Sequence, residues 1–385
     1  MNLIIQLIFS FLSYLIPKDK RLIVCGSGDG RLFNGNPKYL YMYLHKHNTD
    51  IKYYWSTKNK DVYNSLKNLN YPVVLTNTLG GFFILLRARY FVIEKSSLDV
   101  TYTKSILGRF NYVQSNHGTP LKKVGNDAIT LIKNPIIDRF MKKHKLYSKL
   151  KYKYFLSKSH EEDAILLSAF GNKNIITLGY PRNDSFFNKD LLFFNYYKKL
   201  NLNTFKKVFF YAPTFRDNYL SVVPFSDNIY NLNKYLNENN YVLFVKKHPM
   251  EKLLKIPKDL SNIKDISFEI DDIQEILPFV DVLITDYSST FFDYILTGKP
   301  VIYYSYDFEE YLNNCRGMYY DYYKELPGPF AKTENELINL IKNIDLWSKK
   351  ESYKHEYNKL VDKFNKFKDG NSSKRLINLL FSTDL

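Results

Sequence analysis

Residues 282–304 read VLITDYSSTFFDYILTGKPVIYY. The apolar, β-rich run 282–285 is followed by a helical stretch at 290–296 and a second β-rich run at 300–304. A strand, a helix and a strand in so short a span form a crossover unit, in which the two strands lie parallel and the helix covers one face of their sheet. The rhythm continues outward. Upstream, β-rich runs at 207–212, 241–246 and 266–270 bracket helical patterns at 232–239 and 273–280. Nearer the N-terminus it occurs again, with strands expected at 21–26, 51–56, 90–94, 111–115, 154–157 and 175–179 and helices at 37–47 and 161–170. The polar, helical stretch 188–204 is expected to connect the two sets. The pattern predicts an α/β protein of two Rossmann-like domains facing a cleft, with ligands at the carboxyl ends of the strands. The expected divisions are 1–20, 21–190, 205–333 and, from 334 to 385, helices that pack back across both halves.

A chain of 385 residues exceeds the usual size of one core, in keeping with two domains. Hydrophobic residues at 45% and aromatics at 17% exclude a chain that stays unfolded. The net charge of +16, from 55 Lys and Arg against 39 Asp and Glu, favours polyanionic partners. No zinc-finger, RNP or basic-zipper pattern gathers that charge, so small phosphates or an anionic membrane surface are expected rather than nucleic acid. Cys25 and Cys315 have no paired spacing, which suggests neither a disulfide framework nor a thiolate metal site and fits a reducing compartment. Residues 1–16 are apolar and uncharged, and Lys18, Lys20 and Arg21 follow. The stretch is shorter than the ~20 residues of a spanning helix and lacks a basic leader and a small-residue cleavage site. It reads as an interfacial anchor on an anionic cytoplasmic leaflet, as a buried first helix, or as an uncleaved signal, and the anchor is carried forward.

The unusual clusters fall just after expected strands, where loops are free to carry function. His117, in Asn116-His117-Gly118-Thr119-Pro120, is either a general base, with an unperturbed pKa of about 6.5, or a turn histidine bonded to its own loop. Lys246, Lys247 and His248 make a cationic strand end suited to phosphoryl oxygen or simply a solvated one, and alternation puts Lys246 and His248 on one face. Ser288, Ser289 and Thr290 precede a helical run and could hold an anion, cap the helix, or do both. Arg182 and Arg216 follow strands and proline turns; each is matched to phosphate or paired with its neighbour, Asp184 or Asp217. Gly26 to Gly30 lacks the spacing of a dinucleotide or P-loop motif and reads as a tight turn or a loop on the acceptor side. No nucleophile elbow, His-Glu-x-x-His or Asp-x-Asp metal pair is present, so neither a metal nor a cofactor is expected.

Seven strings occur in order: NHGTPLKKVG, FLSKSHEEDAILLSAFG, GYPRND, YAPTFRD, KKHP, LITDYSSTFFDYILTGKPVIYYSYD and RGMYYDYYKELPGP. Together, over about residues 111–340, they resemble the CDP-glycerol:poly(glycerophosphate) glycerophosphotransferase family of teichoic acid primases, polymerases and capsule enzymes. Before His117 only the strand and helix rhythm matches. The resemblance implies a GT-B-like fold with an acceptor-side first domain and a CDP-donor second domain. It implies transfer of a polyol phosphate from CDP-glycerol or a related donor to a lipid-linked or polymeric acceptor, at the cytoplasmic face of the membrane. His117 is then the base and His248 a second histidine by the donor phosphates. Asp286, Ser288, Ser289 and Thr290 become the diphosphate site, Arg182, Arg216 and Lys246 phosphate ligands, and Gly118 and Thr119 the acceptor side. The rival is a GT-B glycosyltransferase that uses a nucleotide sugar.

Overall fold

The computed structural model of the chain describes residues 3–47, 50–101, 108–128, 152–214, 216, 225, 228–247, 254, 256–314 and 317–381. The chain divides into two compact units, one of residues 1–117, 142–193 and 366–385, the other of 118–141 and 194–365.

The first unit is built on a seven-stranded parallel sheet in the order β3-β2-β1-β4-β5-β6-β7. Its strands are β1 (Leu22–Cys25), β2 (Lys52–Thr57), β3 (Val73–Leu75), β4 (Tyr90–Ile93), β5 (Asn111–Gln114), β6 (Tyr154–Ser157) and β7 (Ile175–Thr177). Central strands β1 and β4 are buried along their whole length, as a sheet covered on both faces requires. Alternation divides β1 between the two covers. Ile23 and Cys25 pack with Leu40, Tyr41 and Leu44 of α2 (Gly35–Lys46) and with Leu376 and Leu380 of the C-terminal helix Ser372–Phe381. Leu22 and Val24 face Phe9 of α1 (Leu3–Leu15) and Leu85 and Leu86 of α4 (Leu79–Arg87). Among the described residues, the remaining crossover helices of this unit are α3 (Lys60–Asn68) and α5 (His160–Phe170).

Helix α1 is therefore two-faced. Phe9 is buried between Phe82 and Phe110, with ring centroids 5.0 and 5.1 Å away, while Leu7, Ile8, Phe11, Tyr14 and Leu15 are exposed. Beside them α4 exposes Phe83 and leaves Leu79 90% exposed. No helix among the described residues is long and apolar enough to cross a membrane.

Two buried carboxylates shape the loops of this unit. Asp99 accepts the backbone N–H groups of Asp29, Glu94, Lys95 and Ser96, and so fixes Gly28–Gly30 as a single tight turn. Asp184 accepts the N–H groups of Ser372 and Ser373, both at 2.8 Å, and so holds the C-terminal helix by its free donors. Burial raises the Asp184 pKa, and those N–H bonds work against the rise.

The second unit carries a six-stranded sheet in the order β10-β9-β8-β11-β12-β13, with every pair parallel. Its strands are β8 (Lys207–Ala212), β9 (Tyr241–Val245), β10 (Ile263–Asp265), β11 (Val282–Thr285), β12 (Val301–Tyr304) and β13 (Phe330–Ala331). Helices α6 (Asn228–Glu238) and α8 (Glu334–Lys342) cover one face through Leu232, Leu236, Leu337 and Ile341; α7 (Phe291–Tyr294) lies between them in the chain. In both sheets the order reverses next to the first strand, at β1/β4 and at β8/β11, where open α/β sheets bind ligands.

Three expectations need correction. The strand expected at 266–270 lies earlier, at Ile263–Asp265, because the Asp265 carboxylate accepts both the N–H and the hydroxyl of Ser267 and turns the chain out of the sheet. The helix expected at 273–280 is two 3-10 turns, Ile273–Glu275 and Leu277–Phe279, with Pro278 at the start of the second, where a continuous helix would need its missing N–H. The helix expected at 290–296 is only the turn α7, followed by the 3-10 turn Ile295–Thr297 and Gly298 in the left-handed region.

Candidate active site

In the first unit the chain leaves β5 through Ser115 and turns at Asn116, whose φ of +53° is left-handed. Asn tolerates that conformation because its short side chain bonds locally, and here Asn116 Oδ1 accepts the N–H of His117 at 2.9 Å. Asn36, in the first turn of α2 and wholly buried, donates through Nδ2 to the carbonyls of Ser115 and Asn116, both at 2.8 Å. Its Oδ1 accepts the N–H of Arg182 at 3.1 Å. Arg182 in turn donates from Nη1 to the carbonyl of His117 at 2.9 Å. The loops after β5 and β7 and the start of α2 thus converge on the backbone of His117, whose side chain is exposed. Arg182 does not pair with Asp184, which is engaged at the C-terminal helix.

Gly118 follows with φ +133°, a conformation that any β-carbon would strain. The Thr119 hydroxyl is buried without a hydrogen-bond partner among the described residues, and so is that of Thr214. Both threonines belong to the second unit.

In that unit Thr214, Arg216, Asp286, Ser288 and Thr290 gather beyond the ends of β8 and β11. Asp286, fully buried, accepts the N–H groups of Thr214 at 2.8 Å and Tyr287 at 2.6 Å, and its other oxygen lies 2.9 Å from Arg216 Nη1. Arg216 also forks onto Asp307, with Nε and Nη2 donating at 2.6 and 2.9 Å, and donates to the Thr214 carbonyl. Its guanidinium sits 4.9 Å from the ring centre of Tyr287 and 5.0 Å from that of Tyr311, and these rings stack on each other at 3.9 Å. Burial alone would weaken the hold of Arg216 on its proton; Asp286 and Asp307 outweigh it and keep the group charged. Ser288 and Thr290 are half-buried, with hydroxyls 2.9 Å apart, and Ser288 Oγ also accepts the N–H of Thr290. Ser289 lies between them, half-buried as well.

Lys246 follows β9 and donates from Nζ to the Ser267 carbonyl at 3.3 Å; burial lowers its pKa, while Asp271 and Asp272 pull the other way. Lys247 is engaged with Asp265 at 2.7 Å and with the Leu254 carbonyl. His248 and Asp217 lie outside the described residues. Among the described residues no three His, Cys, Asp or Glu side chains gather as a metal shell would require.

Sequence reading passed over Asn36, Thr214 and Asp307. Thr214 sat within the YAPTFRD string and Asp307 closed the string that begins LITDYSS, but nothing local ties Asn36 to a loop 79 residues away or Asp307 to an arginine 91 residues away.

Arg216, Asp286 and Asp307 expose only 14%, 0% and 8% of their side chains, so loss of the guanidinium leaves two carboxylates uncompensated in a low-dielectric setting. Arg216→Ala is expected to lower the stability of the folded protein by about 3–5 kcal/mol, read by urea or thermal unfolding. Unchanged stability with weakened donor binding would instead make Arg216 a phosphate ligand.

Comparison with known proteins extends the likeness to both ends of the chain. The model of the family described as CDP-Glycerol:Poly(glycerophosphate) glycerophosphotransferase matches residues 8–382, including the part before His117 that the strings left to rhythm alone. A teichoic acid glycerol-phosphate transferase of Staphylococcus aureus is 32% identical over 390 residues, which cover 97% of this chain and 95% of that protein. A teichoic acid poly(glycerol phosphate) polymerase of Bacillus spizizenii is also 32% identical, over 94% and 92% of the two chains. Among solved structures, a variant of the wall teichoic acid polymerase TagF soaked with CDPG superposes with a TM-score of 0.80 at 26% identity, covering 98% of this chain and 92% of that one. Two parallel-sheet α/β units in a GT-B-like fold, with the strings at their strand ends and a match along nearly the whole length, make this chain a member of the CDP-glycerol:poly(glycerophosphate) glycerophosphotransferase family.

Proposed function

We propose that this chain transfers glycerol phosphate from CDP-glycerol to an acceptor hydroxyl, with release of CMP, in the synthesis of a teichoic-acid-type wall polymer. The observation that carries this reading is the family match through residues 8–382, which takes in the strand-end clusters of both units. His117 takes the proton of the acceptor hydroxyl as its oxygen attacks the β-phosphorus. The bond from that phosphorus to the bridging oxygen breaks, and CMP leaves with the electron pair. Such a reaction depends on positioning and charge stabilisation more than on covalent help from the protein.

Ser288, Ser289 and Thr290 receive the donor diphosphate through hydroxyls and backbone N–H groups, joined by the Thr214 hydroxyl, which has no other partner among the described residues. Lys246, and His248 on the strength of its KKHP string, stabilise the phosphate side. Asp286 repels a diphosphate by charge, so its part is to hold the loop, with Arg216 balancing it. Arg182 serves phosphate oxygens beside the base, and Gly118 and Thr119 border the acceptor. That acceptor is a growing glycerol-phosphate polymer or a lipid-linked primer.

A lipid-linked acceptor calls for a membrane address. The exposed apolar faces of α1 and α4, with Arg87 in the last turn of α4 and the exposed Lys20 following α1 in the chain, support attachment to the cytoplasmic leaflet. The reading unites two expectations for the N-terminal stretch, since one face of α1 is core and the other is available to lipid.

His117→Ala is expected to lower CMP release by about 10²–10⁴ with donor affinity nearly intact, because the base acts on the acceptor. Turnover near wild type in the folded variant would remove His117 from that role. For the membrane, Phe11→Ser with Leu15→Ser and Phe83→Ser spares the buried face and is expected to abolish co-sedimentation with phosphatidylglycerol vesicles, and added salt to weaken it in the wild type. Equal sedimentation of variant and wild type would refute the attachment.

A further inference from the structure

The string FLSKSHEEDAILLSAFG supplies no group to the chemistry described so far, yet it contains a wholly buried carboxylate, Glu162. The local reason for its burial is a helix start. Ser159 caps α5 and accepts the N–H of Glu162 at 3.2 Å, and Glu162 reaches back to accept the N–H of Lys158 at 2.9 Å. The helix N-terminus favours the negative charge. The second oxygen of Glu162 is turned to another string, where it accepts the phenol of Tyr180, of GYPRND, at 2.6 Å. Tyr180 is itself wholly buried, with its ring 5.9 Å from both Lys158 Nζ and the Arg182 guanidinium.

Each hydrogen bond in this chain sets the sense of the next. An ionised carboxylate only accepts, so the Tyr180 hydroxyl donates to Glu162 and presents its lone pairs elsewhere. Burial, and then the charge of Glu162, keep that phenol protonated. Asn116 Nδ2 lies 3.4 Å away and is the donor that meets those lone pairs. An amide whose nitrogen faces Tyr180 must turn its oxygen the other way, and Asn116 Oδ1 accepts the N–H of His117. The orientation of an Asn amide is ambiguous in isolation and is decided by its network. Here the deciding group is a carboxylate three residues into a helix that shares no sequence neighbourhood with His117.

We propose that Glu162, Tyr180 and Asn116 form a buried relay whose work is to position His117, with Tyr180 and Glu162 as positioning residues for the reaction. The inference rests on His117 being the base. It gives the SKSHEED and GYPRND strings a shared role, in which one supplies the fixed charge and the other the phenol that transmits its direction. Asn36 and Arg182 secure the same loop by its carbonyls, and the relay adds a hold on the His117 N–H.

The test is a double-mutant cycle on the full chain, read as the rate of CMP release from CDP-glycerol. Tyr180→Phe conserves volume and removes the hydroxyl. It is expected to lower kcat by about 10- to 100-fold, the penalty typical of a misplaced reacting group, with the KM for CDP-glycerol little changed. In a His117→Ala background the same substitution is expected to lower kcat no further, since residues that act as one unit are non-additive. Asn116→Gly keeps the left-handed backbone and removes the amide, so it is expected to behave as Tyr180→Phe does; it decides the matter if Tyr180→Phe does not fold. An equal fractional loss in both backgrounds would make the effect general to the structure and overturn the relay, as would a kcat at the wild-type value. Wild-type turnover by His117→Ala would strike down the base itself, and the relay with it.

Discussion

Parallel strands cannot be joined by hairpins, so each strand in these two sheets must release its chain at one edge before a crossover brings it back. That constraint fixes where chemistry can reside. In the first unit it delivers Asn116 and His117 after β5, and Tyr180 and Arg182 after β7, to one edge. In the second it delivers Thr214 after β8, Lys246 after β9 and Asp286 to Thr290 after β11. Because the strand order reverses at β1/β4 and β8/β11, adjacent crossovers depart to opposite faces there and leave room between them at the strand ends. The residues that matter are remote in sequence and neighbours only by virtue of the sheet.

Holding such loops still demands polar groups in dry places, and the molecule meets the demand with paired carboxylates. Asp286 has two backbone N–H bonds and a guanidinium; Asp307 has that same guanidinium and the Tyr287 hydroxyl; Asp99 has four backbone donors. Each would be costly if left unpaired and stabilises its loop through the partners it has. The loop that bears Ser288, Ser289 and Thr290 is therefore shaped before any ligand arrives, which suits a reaction whose catalysis is largely preorganised electrostatics.

Much of this was legible in the sequence where the signal was periodic. The strands at 207–212, 241–245, 282–285 and 301–304 stand close to their expected limits, as alternation and β-branched composition determine them. Short elements escaped. The strand Val73–Leu75 offers three residues and the strand Phe330–Ala331 two, too few to show a period. The amphipathic helix Lys60–Asn68 and the apolar helix Leu79–Arg87 were missed as well, although longer. Where one side chain overrode the pattern, expectation went wrong: Asp265 ended a strand that the apolar Ile266 and Ile270 would have extended, and Pro278 divided a helix. Within the site, the residue types could be read but their pairings could not. Arg216 has Asp217 as its chain neighbour, yet it is held by Asp286 and Asp307, and Asp184 belongs to the C-terminal helix rather than to Arg182. Long-range pairing is set by packing, which a linear pattern does not encode.

The proposed chemistry turns on which bond of the donor breaks. Attack at the β-phosphorus cleaves a P–O bond and releases CMP, whereas a glycosyltransferase of the same fold cleaves a C–O bond and releases the nucleoside diphosphate. The direct measurement is to incubate the purified chain with CDP-glycerol labelled in the glycerol and in the β-phosphorus, together with a glycerol-phosphate oligomer, and to resolve the nucleotide products. The expected result is CMP in equal amount to glycerol phosphate gained by the oligomer, with both labels transferred together. Release of CDP, with the β-phosphorus label remaining on the nucleotide, would contradict phosphoryl transfer.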